Sequence, residues 1–407
     1  MSGDAPNEIH PGIGVGRYAL LGSMVTIAPL ATSLYLPGLP DIASSLGSTA
    51  AQAQLTVSSA LVGLGVGQLV LGTVSDRWGR RPPVRGGFAA FVVASLLCAV
   101  APTLGVLVLL RFVQGFAGAV GPAVARACVR DVVSGARAAQ ALSRLMVAAA
   151  VAPVIAPLIG GQVLRLTDWR GLFVTLAVLG AGVLTAAWLW LPESLEVHNR
   201  ITGSPAALVV TAGRLLSDRT FVRWLAVVAL FGISTFSWLS TSSFFFTSRY
   251  GLSPQAYSYV VALAGAAFFL GAVVNARMVV RIGPRRSLLR GTSVMIAAAA
   301  LLVVTAVGGA PVLWVVVGPV VLMGAYGGMI ANAQALALTP HGDSAGTASA
   351  LLGMTQFLAG ALVPPLATAA VGPTWSMTVA MLLCSIGAFV ITALAPRQDG
   401  GVIPSDA

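Results

Sequence analysis

The chain has no lysine, few acidic residues and few cysteines, and each shortage excludes a class of protein. All 23 basic residues are arginine, against 12 Asp and Glu, and charged residues are only 9% of the 407, where a soluble domain has about a quarter. Three cysteines without metal-ligand spacing provide neither a disulfide framework nor a metal centre. Three histidines, with no paired carboxylates inside the apolar runs, disfavour a membrane enzyme. The sequence therefore indicates neither a catalytic site nor a cofactor.

Long apolar runs dominate what is present. Hydrophobic residues are 57% of the chain and the mean hydropathy is +0.91, which indicates an integral membrane protein in contact with the lipid bilayer. Because a helix needs about 20 residues to cross the hydrocarbon core, we predict an all-α fold with twelve transmembrane helices. The predicted spans are 17–37, 52–74, 84–101, 104–126, 139–164, 170–191, 221–246, 256–280, 287–307, 311–337, 346–370 and 374–395.

A polar interval divides these spans into two sets of six. We expect an N-terminal six-helix half over 1–191, a central cytoplasmic loop over 192–220 and a C-terminal half over 221–407. The pattern R-x-G-x-R follows both the second and the eighth span, at 77–81 and 281–285. This internal repeat predicts two pseudo-symmetric bundles with a cavity between them, which is typical of secondary transporters.

The distribution of arginine predicts the orientation in the membrane. With a cytoplasmic N-terminus, 18 arginines lie on the cytoplasmic side, whereas only Arg165, Arg170 and Arg249 lie outside. We therefore expect a multi-pass protein of the plasma membrane, acting as a monomer, with both termini in the cytoplasm. Because the arginines lie at span ends without interleaved aromatic residues, the net charge of +11 indicates topology and not nucleic-acid binding.

The loop between the second and third spans is the most distinctive stretch. It fits G-x-x-x-D-R-x-G-R-R and places four charges in one short turn. We expect Asp76 to lie near the N-terminal end of the eleventh span, whose partial positive charge attracts a carboxylate, and Arg80 to pair with Asp131 at the end of the fourth span. These pairs predict a cytoplasmic gate; the alternative is that the charges only enforce topology. The motif residues are Gly72, Asp76, Arg77, Gly79, Arg80 and Arg81.

Polar side chains inside the spans are candidate functional residues. Arg111 begins an R-x-x-Q-G sequence that includes Gln114, and its permanent charge at membrane depth needs a partner or a watery cavity. Polar and aromatic residues of other spans are candidate substrate contacts, because a lipid-facing amide is costly. For each of them an interhelical hydrogen bond is the alternative. The candidate substrate contacts are Tyr35, Trp238, Tyr326, Asn332 and Gln356.

The fifth span carries a pattern of proline and glycine. Pro153 and Pro157 remove backbone donors and permit a bend. Gly160 and Gly161 allow a neighbouring helix to approach closely. Ordinary small-residue packing is the alternative interpretation of this pattern.

Together these motifs resemble those of the major facilitator superfamily. The gate loop resembles its loop-2/3 signature, R-x-x-Q-G resembles its fourth-span signature, and 152–161 is similar to its antiporter signature, with alanine at both leading glycine positions. Residues 35–40 and the Arg130-Asp131 pair resemble, more narrowly, the bicyclomycin/chloramphenicol (Bcr/CflA) branch of twelve-span drug exporters. The resemblance implies proton-coupled export of a hydrophobic or amphipathic small molecule. A facilitator or importer of a small metabolite, or a receptor that does not transport, is the alternative.

The resemblance also raises the question of energy coupling. Related exporters carry an acid in the first span just before Tyr-Leu-Pro, where this chain has Ser33. The nearest acid in that helix is Asp41, eight residues further on. We therefore expect Arg111 to bind the substrate or an anion in the cavity, and proton coupling to be weaker or differently placed, with Asp41 as the candidate acid. Charge carried by the substrate and uncoupled transport are the alternatives.

Overall fold

The structure, a computed structural model, describes residues 14–133, 135–195 and 205–396. Every regular element in those ranges is helical, and eleven helical segments are long and apolar enough to cross a membrane. The last of these, Gly346–Ala393, has 48 residues, about twice the length that one span needs. It breaks at Gly372, where φ is +77°. The described chain therefore forms twelve spans, and the predicted all-helical membrane fold is confirmed.

In the first half, the first and fourth spans are each built from two consecutive helices. A 3-10 turn at Leu36–Gly38 separates the two parts of the first span, and Pro40 stands in the first turn of the helix that follows. The first span therefore extends to Ser45 and not to the predicted residue 37, because each proline starts a helical turn. The helices are α1 (Val15–Ser33), α2 (Leu39–Ser45), α3 (Ala50–Trp78), α4 (Arg81–Ala99), α5 (Leu104–Gly118), α6 (Val120–Val132), α7 (Gly135–Leu166) and α8 (Trp169–Trp190).

The second half begins with a short helix inside the predicted central loop. This helix, α9 (Pro205–Ser217), buries Leu215 and exposes half of Leu216. This helix lies within the interval 192–220 that we expect to form the central cytoplasmic loop, and its 13 residues are too few to cross the membrane. The remaining helices are α10 (Arg219–Phe244), α11 (Pro254–Ile282), α12 (Pro284–Val307), α13 (Val312–Tyr326), α14 (Met329–Leu338) and α15 (Ala345–Ala393).

The two halves repeat one another in local geometry. Helices α3 and α11 each have 29 residues and start 204 positions apart. The glycines that follow them, Gly79 and Gly283, are also 204 apart and share an unusual backbone conformation, with φ of +91° and +78° and ψ of 172° and 158°. Gly47 and Gly251, with φ of +59° and +66°, form a second such pair. The structure thus extends the repeat that the sequence shows at 77–81 and 281–285.

The halves contact each other mainly along two helix pairs, α3 with α15 and α7 with α11, and α10 also touches α2 and α3. We call the end of the bundle that carries most of the arginines the inner end, and the opposite end the outer end. Hydrogen bonds across the halves lie toward the outer end, and we call them the outer contact. No hydrogen bond between described residues joins the halves at the inner end. The outer contact consists of Gln54 Nε2 to Thr241 Oγ1 (3.3 Å), Ser58 Oγ to the Ala361 carbonyl and Gln255 Nε2 to the Gly161 carbonyl (3.0 Å).

Candidate functional site

Arg80 is the centre of a buried group of charges at the inner end. Its side chain is only 5% exposed, and its Nε and Nη2 donate to the two carboxylate oxygens of Asp131 at 2.8 and 3.0 Å. Its Nη1 donates to Asp76 and to Ser75 Oγ. Gly79 directs the chain back toward the bundle, because its φ of +91° is a conformation that favours glycine. We call Ser75, Asp76, Arg80 and Asp131 the Arg80 cluster.

The charge of Arg80 is stabilised by its partners. Burial lowers the pKa of the Arg80 guanidinium, but hydrogen bonds and charge attraction from Asp131 and Asp76 outweigh burial, so the pKa is raised above its ordinary value. The two carboxylate oxygens of Glu193 accept from the backbone N–H groups of Arg80 and Arg81 at 2.7 and 3.1 Å. Glu193 thereby satisfies donors at the start of α4 that have no partner within the helix.

The structure brings together the motif residues only in part. Asp76 is 38% exposed and its ion pair is with Arg80, and no hydrogen bond between described residues joins it to the first turn of α15. Arg77 is exposed, whereas Gly72 and Arg81 are partly buried. Sequence reasoning missed Ser75, which directly precedes Asp76 and whose hydroxyl can accept from an arginine. It also missed Glu193, which lies 113 residues after Arg80 with no pattern to indicate its partner.

Arg111 is fully buried within the first half, between α1, α3 and α5. Its Nε donates to the Thr56 carbonyl at 3.3 Å, and Nη1 and Nη2 donate to the Ala31 carbonyl, also at 3.3 Å. Nη1 donates to Gln114 Oε1, and the guanidinium carbon lies 4.0 Å from the centre of the Tyr35 ring. Among the described residues no carboxylate contacts it. A permanent charge is thus held by neutral acceptors and the face of an aromatic ring.

The first span provides no acid beside this charge. Ser33 is 3% exposed, and a serine cannot carry a negative charge. Asp41 is exposed in the first turn of α2 and forms no ion pair within the described part of the chain. The structure therefore does not bring Asp41 and Arg111 together, since Arg111 is bound by groups of α1, α3 and α5 instead.

The glycines of the fifth span lie where helices touch. A Cβ atom on Gly160 would overlap the Leu34 carbonyl of the first span, and one on Gly161 would overlap Ser258 Oγ of α11. Pro153 and Pro157 lie inside α7, which continues through both, and Pro153 lies against Gly265 of α11. This segment therefore forms part of the contact between the halves.

Two of the candidate substrate contacts, Tyr326 and Gln356, lie beside each other. The Tyr326 ring is 2% exposed and packs edge-on against Phe231, with the ring centres 5.5 Å apart. The Tyr326 hydroxyl lies beside the side chains of Thr235 and Gln356, but neither this hydroxyl nor Thr235 Oγ1 has a hydrogen bond of good geometry. Buried polar atoms of this kind are normally paired with protein or water, so they are able to accept a partner from a ligand.

Asn332 instead belongs to an interhelical network. Its Nδ2 donates to Asn275 Oδ1 at 2.9 Å, and Ser287 Oγ donates to the same oxygen. Asn275 Nδ2 donates to the Gly328 carbonyl at 3.3 Å. These contacts join α11, α12 and α14 and match the interhelical alternative for Asn332. Sequence reasoning missed Asn275 and Ser287, because single polar residues in apolar runs do not indicate their partners.

Tyr35 and Trp238 are also buried, and neither contacts open space. Tyr35 is 0% exposed and lies between Arg111 and Phe173. Trp238 is 3% exposed and packs edge-on against Phe246, with the ring centres 6.1 Å apart. In this conformation both side chains stabilise the bundle.

Twelve spans in two repeated halves, with the hydrogen bonds between described residues of the two halves all toward the outer end, match the architecture of a secondary transporter. The family model described as Major Facilitator Superfamily matches residues 21–364, and the chain belongs to this superfamily.

Relatives named for drug resistance extend over nearly the whole chain. The multidrug resistance protein MdtL of Klebsiella pneumoniae is 30% identical over 372 residues, covering 91% of this chain and 93% of the relative. The bicyclomycin resistance protein homolog of Haemophilus influenzae is 25% identical over 377 residues, covering 92% and 93%. An uncharacterized transporter of the superfamily from Bacillus subtilis, YdgK, is 37% identical over 365 residues, covering 88% and 90%. The resemblance stated from the sequence is confirmed.

Solved structures of the superfamily share the fold. A point mutant of the nucleoside transporter NupG superposes with a TM-score of 0.75 at 13% identity, covering 93% of this chain and 98% of the other. The xylose transporter XylE of E. coli, in a partially occluded inward-open conformation, gives 0.72 at 15% identity, covering 95% and 98%. Identities this low establish the architecture only.

Proposed function

We propose that this protein exports a hydrophobic or amphipathic small molecule across the plasma membrane by alternating access, with a proton as counter-ion. The observation that carries the proposal is the position of the Arg80 cluster at the inner end, opposite the outer contact. A transporter that rocks about a midplane site needs a separable contact at each end. The drug-resistance names of relatives that match nearly full length support export over import.

The two ends have complementary roles in this mechanism. The outer contact holds the halves together through single hydrogen bonds, which break at modest cost. At the inner end, the exposed oxygen of Asp76 is free to approach the N-terminus of α15, where the partial positive charge of the helix attracts a carboxylate. Closing this latch while the outer contact opens exposes the cavity to the outside. The inner end, with 18 arginines, faces the cytoplasm together with both termini.

In this proposal, the cavity between the halves receives neutral polar groups from the second half and a cation from the first. We propose that Tyr326 and Gln356 bind polar groups of the substrate, and that Arg111 attracts the negative charge of a substrate or small anion when the cavity opens. A buried cation without a carboxylate favours such a partner. Asp41 is the remaining acid of the first span, and its exposure at the outer end makes it a weaker coupling group than an acid at residue 33.

Facilitated transport without a proton is a second candidate, and one observation favours it. Ser33, two residues before Tyr-Leu-Pro, is buried, and its hydroxyl cannot carry a proton between the two sides. A facilitator needs the same alternating contacts but no titrating group.

Transport by purified protein in liposomes separates these functions. The assay measures uptake of cationic, neutral and anionic amphipathic dyes with and without an imposed pH gradient, for the natural sequence, Asp41→Asn, Arg111→Ala and the control Arg165→Gln on the outer side. We expect gradient-dependent transport by the natural sequence and the control, and none by Arg111→Ala. Transport independent of the gradient would favour the facilitator, and full gradient-driven transport by Arg111→Ala would contradict the role of this arginine. Strong coupling that persists in Asp41→Asn would exclude Asp41 as the coupling acid.

A further inference from the structure

A groove of about 870 Å³ lies at the inner end of the second half and is open to its surroundings. It runs between the end of α9, the first turns of α10 and the end of α15, and α9 packs against both of the other helices. This groove shares no lining residue with the Arg80 cluster or with the outer contact. Its lining residues are Leu216, Ser217, Arg219, Val222, Arg223, Ala226, Ile391 and Leu394.

Two arginines give the groove an uncompensated positive charge. Arg219 and Arg223 are one turn apart and so lie on the same face of α10. Neither forms an ion pair or a hydrogen bond with any residue that the structure describes. The adjacent acid, Asp218, is occupied, since its carboxylate accepts from the Thr220 N–H at 2.8 Å and lies 2.9 Å from His341 Nε2. The groove therefore lacks an anion.

Apart from Ser217, the rest of the groove is apolar, and three of its side chains are well exposed. Leu216 is 50% exposed, Val222 40% and Leu394 76%. These side chains lie beside the arginines at the level where a helix leaves the hydrocarbon core. A pair of cations above an apolar surface matches an anionic headgroup above acyl chains.

A similar groove, smaller and with less positive charge, lies at the inner end of the first half. It lies between the start of α1 and the end of α8, contains about 380 Å³ of empty space and has a single arginine, Arg17. Ser194 also lines this groove, and its hydroxyl donates to the carboxylate of Asp131. The first and last spans of each half thus form a groove at the inner end, but only the second half has two free arginines there.

We propose that the groove of the second half binds the headgroup of an anionic glycerophospholipid from the leaflet at the inner end. Arg219 and Arg223 contact the phosphate, and the acyl chains lie along Val222, Ile391 and Leu394. The bound lipid stabilises α9 against α10 and α15. This inference does not depend on the direction of transport or on the substrate.

Native mass spectrometry of the full chain, with lipid added to detergent-purified protein, tests the proposal. The experiment compares phosphatidylglycerol with phosphatidylcholine for the natural sequence, the pair Arg219→Gln/Arg223→Gln, and the control pair Arg286→Gln/Arg290→Gln. The control arginines are also one turn apart and exposed at the inner end, on α12, but they line neither of the two grooves described above. Each arginine near an anionic surface contributes about fivefold in affinity.

We expect the natural sequence to bind phosphatidylglycerol in preference to phosphatidylcholine. The affinity for phosphatidylglycerol should be roughly 30-fold lower in the Arg219→Gln/Arg223→Gln variant and unchanged in the control variant. Arg223→Lys, which keeps the charge, should retain most of the binding. Equal losses in the two double variants, or no loss in either, would overturn the proposal. Soluble glycerol phosphate is the third ligand; if it bound as tightly as the lipid, the site would be a phosphate site and the lipid assignment would be wrong.

Discussion

Two buried arginines of the first half are stabilised in opposite ways. Arg80 is paired with the carboxylates of Asp131 and Asp76, whereas Arg111 is bound by backbone carbonyls, Gln114 and the Tyr35 ring. Sequence reasoning predicted Asp131 as the partner of Arg80, but it expected Asp76 to lie near the N-terminal end of the eleventh span and not to pair with Arg80. It could not predict the carbonyl ligands of Arg111, since every residue carries a carbonyl group and the sequence does not reveal which of them helix packing leaves available.

Replacing Asp131 should have a different effect from replacing Asp76, because the two carboxylates differ in burial. Asp131 accepts two hydrogen bonds from a guanidinium that is 5% exposed, so Asp131→Asn leaves a buried charge with one partner and should destabilise the protein by on the order of 3 kcal/mol. Asp76 is 38% exposed, so Asp76→Asn should retain stability and membrane insertion but lose most transport. Thermal unfolding in detergent and transport in liposomes measure the two effects. Normal transport by Asp76→Asn would exclude the latch.

Replacing the glycine after the second span of each half by alanine should lower the stability of the protein. Gly79 and Gly283 have φ of +91° and +78° with ψ near 180°, a region that costs a residue with a side chain about 1–3 kcal/mol. We expect Gly79→Ala and Gly283→Ala each to lower the unfolding temperature. Gly86→Ala is the control, because Gly86 has ordinary helical geometry and open space around it. Equal melting temperatures for all three variants would show that neither turn requires glycine.

At the scale of elements, hydropathy predicted the membrane spans. It predicted neither the short helix α9 between two spans nor which spans pack against each other. The predicted gap between 370 and 374 matches the break at Gly372, because glycine and proline interrupt an apolar run visibly. Helix α9 was missed because a search for 20-residue apolar runs ignores a helix of 13 residues. Helix α7 runs from 135 to 166 as one element, and the sequence indicated close packing there without indicating that α11 was the partner.

Widening the contact between α7 and α11 should favour the outward-open state. A side chain at Gly161 overlaps Ser258, so Gly161→Ala should separate the outer ends of these helices. Residue 241 lies at a buried site of the outer contact. The thiol introduced by Thr241→Cys should therefore react several-fold faster with a membrane-impermeant maleimide when Gly161→Ala is also present than when it is not. Cys98, Cys128 and Cys384 are buried and give a low background.

Gly182→Ala in α8 is the matched control for this experiment. A Cβ atom there meets no neighbour within 4 Å, so labelling at residue 241 should be unchanged. Equal labelling rates in Gly161→Ala and Gly182→Ala would show that the α7–α11 contact does not control access from the outside.

At the scale of the whole molecule, one weak sequence pattern predicted that the chain consists of two repeated halves. The pattern R-x-G-x-R at 77–81 and 281–285 indicated the repeat, and the structure extends it to two pairs of glycines with positive φ. Packing between the halves could not be predicted, because it depends on the conformational state as well as on the sequence. The structure has the outer contact formed and Asp76 paired with Arg80, an arrangement that we expect of one state of an alternating cycle.

Reporter fusions test the orientation of the whole bundle. The arginine bias predicts that residue 197 is cytoplasmic and residue 249 is outside. A fusion after Val197 should therefore be active as a cytoplasmic reporter, and a fusion after Arg249 should be active only as an external one. The same location for both would refute the twelve-span topology.

The direction of transport is the central claim, and drug accumulation in living cells tests it most directly. Energised bacterial cells that express the natural sequence, the Asp76→Asn variant or no protein are exposed to a panel of amphipathic drugs and dyes, and intracellular concentrations are measured at steady state. We predict that at least one compound accumulates several-fold less in cells with the natural sequence, and that Asp76→Asn, inserted at the same level, removes the difference. Higher accumulation in cells with the natural sequence, or equal accumulation for every compound, would contradict export.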